Sequence, residues 1–495
     1  MHKPLSADQR TTREIELKLE LEPGDAATVR ANPDAANAQT VPQHTVYYDT
    51  PRATLQKHGF TLRVRNVGDR FTQTVKPLTG DAGLIAREEF ERPVRSIEPD
   101  LRALSGTPLE SLVKKGELKE LQPILRSLVE RTSWISEVAG SRIQTDLDQG
   151  ELSAGGRLQT FNELELELLS GEPECLFLAA KTIAERVPVR IGVLSKAERG
   201  ARLNSSAFER MTKAAPIHIV CGKSVAEAFF VMVHACLKHY RLNEPLVLDT
   251  RKKEALHQCR VAMRRLRSAF TLFKSAIADV EYQYLRHELR WFTSQLGDAR
   301  NFDVYLERDL SDSERSTVTA QRERAYDEVI AAMNSLRFQT MMIELLSWTA
   351  FGHWRSSKQA RKPVEDYAGG RLDRLWHSIA GAGHHVDNLD EHTRHRLRIK
   401  VKKMRYAIEF LRGLYPDSAR SEKRFADTVE ELQESLGKLN DVTTAKMLTL
   451  VADKDDWLIG QPEERIHLRE ADRAFRDLAD VGPFWRHEHR HREHA

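Results

Sequence analysis

The stretch Glu14-Ile15-Glu16-Leu17-Lys18-Leu19-Glu20-Leu21 alternates strictly between charged and apolar residues. A repeat of two marks a β-strand, because successive side chains leave a strand on opposite faces. Ile15, Leu17 and Leu19 therefore share one face, and Glu14, Glu16 and Lys18 the other. The pattern recurs: Glu163, Glu165 and Glu167 alternate with Leu164, Leu166 and Leu168. Arg63 and Arg65 share a face, as do Thr72, Thr74 and Lys76, and again Arg87, Glu89 and Glu91. Segments 61–66, 71–76, 87–91, 141–148 and 163–168 are expected as further strands, with helices over 100–128 and 175–186.

One antiparallel strand with a charged face in water is ordinary. Here several such strands differ in sign, some carrying mainly carboxylates and others mainly Arg or Lys. A sheet closed into a barrel turns those faces into its lining, while the apolar faces meet flanking helices. Clustered carboxylates repel unless cations offset them, and their hard oxygens suit Mg²⁺ or Mn²⁺ better than zinc. Arg and Lys suit phosphate oxygens, with Arg forking across two of them. Metal plus basic side chains is the usual equipment for phosphoryl transfer.

Past residue 204 the grammar changes to long segments of helical period. Two of these match in chemistry. His257, Arg260, Arg264, Arg265 and Arg267 repeat as His395, Arg398, Lys402, Lys403 and Arg405, with basic residues three, seven, eight and ten positions after each His. At about 100° per residue, the His and offsets three, seven and ten share one side of a helix. Leu266, Phe270 and Phe273 lie opposite in one copy; Met404, Ile408 and Leu411 do so in the other. A Leu-Gly pair about forty residues after each His (Leu296-Gly297 and Leu436-Gly437) is expected to end a helix. The expected architecture is a duplicated bundle with a pseudo-twofold axis and basic fronts that contact anions.

Composition narrows the function. The 495 residues carry a net charge of only +3, so anion binding must come from local arrangement. Neither basic stripe offers the Asn, Gln or aromatic readers expected for bases, so nucleic acid is not expected. There is no run of about 18 apolar residues, so no membrane span is expected. The start lacks an apolar signal core, and Cys175, Cys221, Cys236 and Cys259 show no paired spacing. A cytoplasmic location is the expectation. The end, RHEHRHREHA, is read as a solvated tail.

The Glu14-x-Glu16-x-Lys18 pattern resembles the CYTH family, the triphosphate tunnel metalloenzymes. The resemblance continues through YYDTPRATLQKHGFTLRVRN, the TVK ending at Lys76, REEFE, LDQG, ELELEL and SKAERG, in the family's order. The paired HxxR motifs resemble the CHAD family, conserved-histidine α-helical domains associated with inorganic polyphosphate. The resemblance implies a multidomain α+β chain: an eight-stranded antiparallel β-tunnel with flanking helices, then an all-α duplicated bundle. The domains are placed at residues 10–203 and 218–495, with a linker at 204–217.

By motif position, Glu14, Glu16, Asp148, Glu163 and Glu165 would bind Mg²⁺ or Mn²⁺. Asp146 competes with Asp148 for its place, and Glu89 and Glu91 face the same cavity. Lys18, Arg63, Arg65, Lys76, Arg87 and Lys196 would hold triphosphate, with Arg131 and Arg199 as further candidates. Glu14, Glu16 and Lys18 would be catalytic. The ten His, Arg and Lys residues of the duplicated motif would bind polyphosphate. The implied activity is hydrolysis of tripolyphosphate to pyrophosphate and phosphate. The alternatives are thiamine triphosphatase, class IV adenylate cyclase, or a non-catalytic polyphosphate-binding protein.

Overall fold

The computed structural model describes residues 10–78, 84–381, 386–451 and 461–486. The side chains of residues 10–14, 84–88, 387, 440–451 and 461–463 fall outside the described set, as does the His-rich end after Arg486.

Nine strands form one antiparallel sheet: β1 (Arg10–Leu21), β2 (Gln39–Asp49), β3 (Phe60–Val67), β4 (Arg70–Pro77), β5 (Leu84–Val94), β6 (Gln122–Val138), β7 (Ser141–Ala154), β8 (Arg157–Ser170) and β9 (Val189–Ile191). Their order is β5-β4-β3-β2-β6-β7-β8-β1-β9, and β5 also pairs with β1. That extra pairing closes eight strands into a ring. The count exceeds the expected eight by one short strand, for a simple reason. β5 pairs with β1 only over Arg10–Leu17, and β9 takes the edge left at Leu19–Leu21.

Short helices α1 (Ala26–Arg30), α2 (Thr54–Lys57) and α3 (Glu110–Lys114) join the first strands. The helix expected over 100–128 is corrected. Only a 3₁₀ turn at Leu101–Leu104 and α3 form there, and Gln122 already begins β6. α4 (Cys175–Ala184) packs on β1, β6 and β8, and α5 (Lys196–Asn204) on β6, β7 and β8.

Burial explains the closed ring. Leu17, Leu19, Leu147, Leu164 and Leu166 are fully buried, as the apolar face requires. Yet Lys18 is 4 %, Asp148 1 % and Glu163 0 % exposed. Charged residues alternate with these leucines and are still out of water, so the charged face is an interior. Gly192 makes one close approach possible. A Cβ there would lie 2.5 Å from Cγ of Lys18.

The remaining helices are α6 (Val225–Arg241), α7 (Glu244–Thr250), α8 (Lys253–Ile277), α9 (Val280–Tyr305), α10 (Asp312–Asn334), α11 (Leu336–Phe351), α12 (Val364–Ala380), α13 (Glu391–Leu411), α14 (Ala419–Val451) and α15 (Gln461–Val481). The chain forms two compact units. The first holds the chain up to Ala214, with His234–Met263 and Gln283–Gly352. Its helical core stacks Phe292 on Phe338 at 4.0 Å, with Tyr240 against both. The second holds Ala215–Val233, Arg264–Tyr282 and the chain from His353. There Phe229 packs on Phe270, Phe273 and Trp354.

The two Leu-Gly pairs do not end helices. Gly297 lies inside α9 and Gly437 inside α14. Beside Gly297, Nη1 of Arg260 donates to the Leu296 carbonyl at 2.7 Å.

Candidate active site in the barrel interior

Register assembles the site. Glu16 lies opposite Glu167 and Lys18 opposite Glu165 across β1 and β8. Asp146 faces Glu165 and Asp148 faces Glu163 across β7 and β8. Arg131 on β6 lies opposite Asp148 on β7. On the other side Tyr47 of β2 is paired with Arg63 of β3, and Thr45 with Arg65. These strands surround a cavity of about 230 Å³. Carboxylates from β1, β7 and β8 form one wall, and Arg63, Arg65 and Lys76 from β3 and β4 another. Lys196 enters from the first turn of α5, a turn fixed by a capping box between Ser195 and Glu198.

Cations knit part of the acidic wall together. Nζ of Lys196 lies 2.8 Å from Asp148, 2.9 Å from Glu163 and 3.3 Å from Glu165. Arg131 reaches Asp148 at 2.6 Å, Asp146 at 2.7 Å and Glu165 at 2.5 Å. Lys18 adds a contact to Glu165 at 2.9 Å. Arg199 joins Glu163 to Glu20, at 2.9 and 2.8 Å. Lys76 and Arg63 both meet Glu89.

The titration of these groups separates them. Burial alone raises a carboxyl's proton affinity. At Glu165 burial is outweighed by Lys18, Lys196 and Arg131, which hold it well below the usual range. Glu163 and Asp148 are lowered in the same way, with Lys196 the strongest opposing charge at each. Asp146 and Glu167 go the other way. Burial raises both; at Glu167 the neighbouring Asp146, Glu16 and Glu165 push further. Across the cavity Arg65 is brought down to about 10 by burial and by Arg63 and Arg131. Its Nε donates to the Thr45 hydroxyl at 3.4 Å. Tyr47 shows the reverse: Arg63, Lys196 and Arg65 outweigh its burial and lower the phenol.

Oxygens of Asp148, Glu163 and Glu165 lie within 4.8 Å of one another, close enough to share a metal ion. Their donor chemistry fits a hard divalent cation, but the Lys196 ammonium sits among them. Glu16, Asp146, Glu165 and Glu167 border the cavity from this wall and Glu89 and Glu91 from β5, whereas Asp148 and Glu163 stand behind it. Glu16, Asp146, Glu165 and Glu167 supply hard carboxylate oxygens of the kind a divalent cation takes.

The barrel therefore brings together Glu16, Lys18, Arg63, Arg65, Lys76, Glu89, Glu91, Arg131, Glu165 and Lys196 around one cavity. Backbone register sets Glu14 opposite Arg87, and both side chains lie outside the described residues. Glu167 and Tyr47 line the cavity without a role foreseen for them. The ELELEL alternation already carried the signal for Glu167; nothing in the sequence singled out Tyr47.

The basic helices differ in kind. Both motifs lie on long helices, α8 and α13. His257 and Arg260 are half-buried parts of the first unit; the others belong to the second. Arg267, His395 and Lys403 are exposed, and Arg264, Arg398, Lys402 and Arg405 half-buried. Arg405 donates to Gln433 at 2.8 Å. Arg265 stands apart: it is 1 % exposed, meets Glu409 at 2.6 Å and lies over the Phe410 ring.

The closed antiparallel barrel opposes carboxylates to guanidinium and ammonium groups across one cavity. The family models match in the expected order: residues 12–201 match the CYTH domain and residues 231–450 the CHAD domain. An inorganic triphosphatase of Haemophilus influenzae is 33 % identical over 206 residues, 40 % of this chain and 56 % of that protein. The match thus spans little more than half the length of that relative. Among solved structures, the CHAD domain from the plant Ricinus communis covers 55 % of this chain and 93 % of its own, at 25 % identity and a TM-score of 0.43. PptA from Streptomyces chartreusis covers 52 % and 99 %, at 17 % identity and a TM-score of 0.36. No described helix is long and apolar enough to cross a membrane.

Proposed function

We propose that the barrel is a metal-dependent inorganic triphosphatase, hydrolysing tripolyphosphate to pyrophosphate and phosphate, and that the CHAD helices bind inorganic polyphosphate. The observation that carries this reading is Arg65. It is a half-buried guanidinium beside Arg63, without an ion pair among the described residues, facing the cavity opposite the carboxylate wall. Such a cation is complete only with an anion. The relative named an inorganic triphosphatase supports the same choice.

In this reading Arg63 and Arg65 fork phosphate oxygens from one side, with Lys18, Lys76, Arg87 and Lys196 completing the grip. Glu14, Glu16 and Glu165 would hold Mg²⁺ or Mn²⁺ together with Asp146 or Asp148 and Glu163. A bound metal supplies charge neutralisation and acidifies a coordinated water. Asp146 and Glu167, the carboxyls with raised proton affinity, are suited to receive the water's proton. The ten basic and His residues of α8 and α13 are assigned to polyphosphate, with Arg265 the least accessible. A cytoplasmic setting accords with the buried free thiols of Cys175 and Cys259.

The test is phosphate release from tripolyphosphate with Mg²⁺ or Mn²⁺. Glu16→Ala should abolish release while circular dichroism stays unchanged; no release from the unaltered protein sinks the proposal. One observation favours a second reading. A more apolar cleft of about 260 Å³, lined by Tyr48, Phe60, Leu62 and Ile124, shares Tyr47, Thr61, Leu78 and Ala197 with the cavity. It could seat an organic group attached to the phosphates. Faster turnover of thiamine triphosphate or ATP than of tripolyphosphate would select that reading.

A further inference from the structure

The ion pairs of the barrel do not stop at its wall. Glu163, which holds Lys196, also takes Arg199 at 2.9 Å. Arg199 passes to Glu20 at 2.8 Å, and Glu20 takes Nη2 of Arg241 at 2.7 Å. Arg241 closes α6, within the segment matched as CHAD, and its side chain is 3 % exposed. Its Nε donates to the carbonyl of Ile191 on β9 at 2.8 Å, and its remaining nitrogen meets Glu244. One turn earlier on the same helix, Lys238 reaches Glu198 at 2.7 Å. Glu198 is the residue whose other oxygen forms the capping box of α5.

The last turn of α6 therefore grips one lever, the first turn of α5, at two adjacent residues. Lys238 holds the cap of α5, and Arg241 holds Glu20, which holds Arg199 of the same helix. The lever carries Lys196 into the cavity. A buried ionic chain is seldom the most stabilising way to pack two elements, since apolar residues of similar volume often do as well or better. What it adds is fixed geometry. Losing one cation leaves Glu20 with a single partner and draws Arg199 away from Glu163. Glu163 then leans on Lys196, with only Lys18 beside it, which moves the ammonium off its cavity-facing position.

We propose that Arg241, a residue of the helical region, is a positioning residue for the tunnel, setting Lys196 through Glu20, Arg199 and Glu163. This rests on the reading of the cavity as a triphosphate site. It makes the grip on phosphate depend on α6.

The experiment uses the full-length chain. Tripolyphosphate affinity is measured by calorimetry without metal, and kcat and KM with Mg²⁺, for Arg241→Gln, Arg241→Lys, Glu20→Gln and the Arg241→Gln/Glu20→Gln double variant. Arg241→Gln is expected to raise Kd and KM about tenfold, and the double variant to do no worse than the poorer single, as coupled residues do. Arg241→Lys should recover most of the affinity. Should Arg241→Gln not fold, Glu20→Gln cuts the same chain and is judged by the same rise. A lower melting temperature with unchanged Kd and KM overturns the proposal, because that is what mere packing predicts. Protein that binds tripolyphosphate without hydrolysing it breaks the proposed activity and leaves this test intact. Hydrolysis with equal affinity in the Arg241→Gln variant breaks the inference and leaves the activity standing.

Discussion

The barrel interior and the two basic helices carry the same kinds of residue under opposite physical conditions. In the barrel, charges are buried and held by strand register, so each has partners chosen by the fold. Lys196 meets three carboxylates at once. On α8 and α13 most of the motif residues keep contact with water. Buried charges act as a set, and removing one unbalances the others. Partly solvated charges act nearly independently and are worth less each. The barrel should therefore be brittle to substitution and the helices tolerant.

The largest effect is expected at Arg65. Arg65→Ala should lower kcat/KM for tripolyphosphate by on the order of a hundredfold or more, as for loss of a preorganised charge donor. A drop below fivefold would place the substrate elsewhere. Lys196→Met comes next. It leaves Asp148, Glu163 and Glu165 without their shared cation, and should cost about 3–5 kcal/mol in urea unfolding at pH 7.

The pH dependence of that loss sharpens the contrast. Carboxyls held below their ordinary values stabilise the fold above those values and lose that contribution as pH falls through the depressed ones. Glu163 and Glu165 start from 4.5, so their contribution is intact at pH 7 and disappears in the acid range below 4.5. Asp146 and Glu167, raised instead, are relieved on protonation and oppose the trend. Unfolding free energies of Glu167→Gln should match or exceed those of the unaltered protein at pH 7, and the gain should shrink toward pH 4. A constant gain would show that Glu167 is not repelled by its neighbours.

The helices should respond least. Arg264→Ala with Lys402→Ala should weaken binding of long-chain polyphosphate about tenfold, the low end for charged hydrogen bonds. The rate on tripolyphosphate should not change. Unaltered long-chain affinity would remove the basic front from the binding site.

Much of this was legible in the sequence because a period of two is hard to misread when one face is charged. β1 and β8 have that form throughout. β6 does not. Ile124 and Leu128 point outward while Leu125 and Val129 are buried, so both faces are apolar and the segment imitates a helical spacing. The helix expected there was lost for that reason. The same limit applies within the site. Alternation placed Glu163, Glu165 and Glu167 on one face, yet only register shows that Glu165 and Glu167 border the cavity while Glu163 stands behind it.

On α8, helix geometry only sets Arg265 to one side. Eight residues after the His is about 80° round the helix, away from the other basic positions. Arg265 is buried there against Glu409, while Lys403 at the same offset on α13 is exposed. That difference belongs to what each helix packs on, and no single sequence contains it.

The short strand β9 has a consequence for assembly. Where β5 stops, β1 would present the bare amides and carbonyls of Leu19–Leu21 to any extended chain nearby. β9 occupies those groups. Its own first amide, at Val189, donates to the side chain of Gln339 at 3.1 Å instead of facing outward. A barrel escapes self-association only if its seam is shut, and three residues with one glutamine shut this one. Gln339→Ala, which bares that donor, should leave a protein that folds but gathers into strand-paired oligomers on storage.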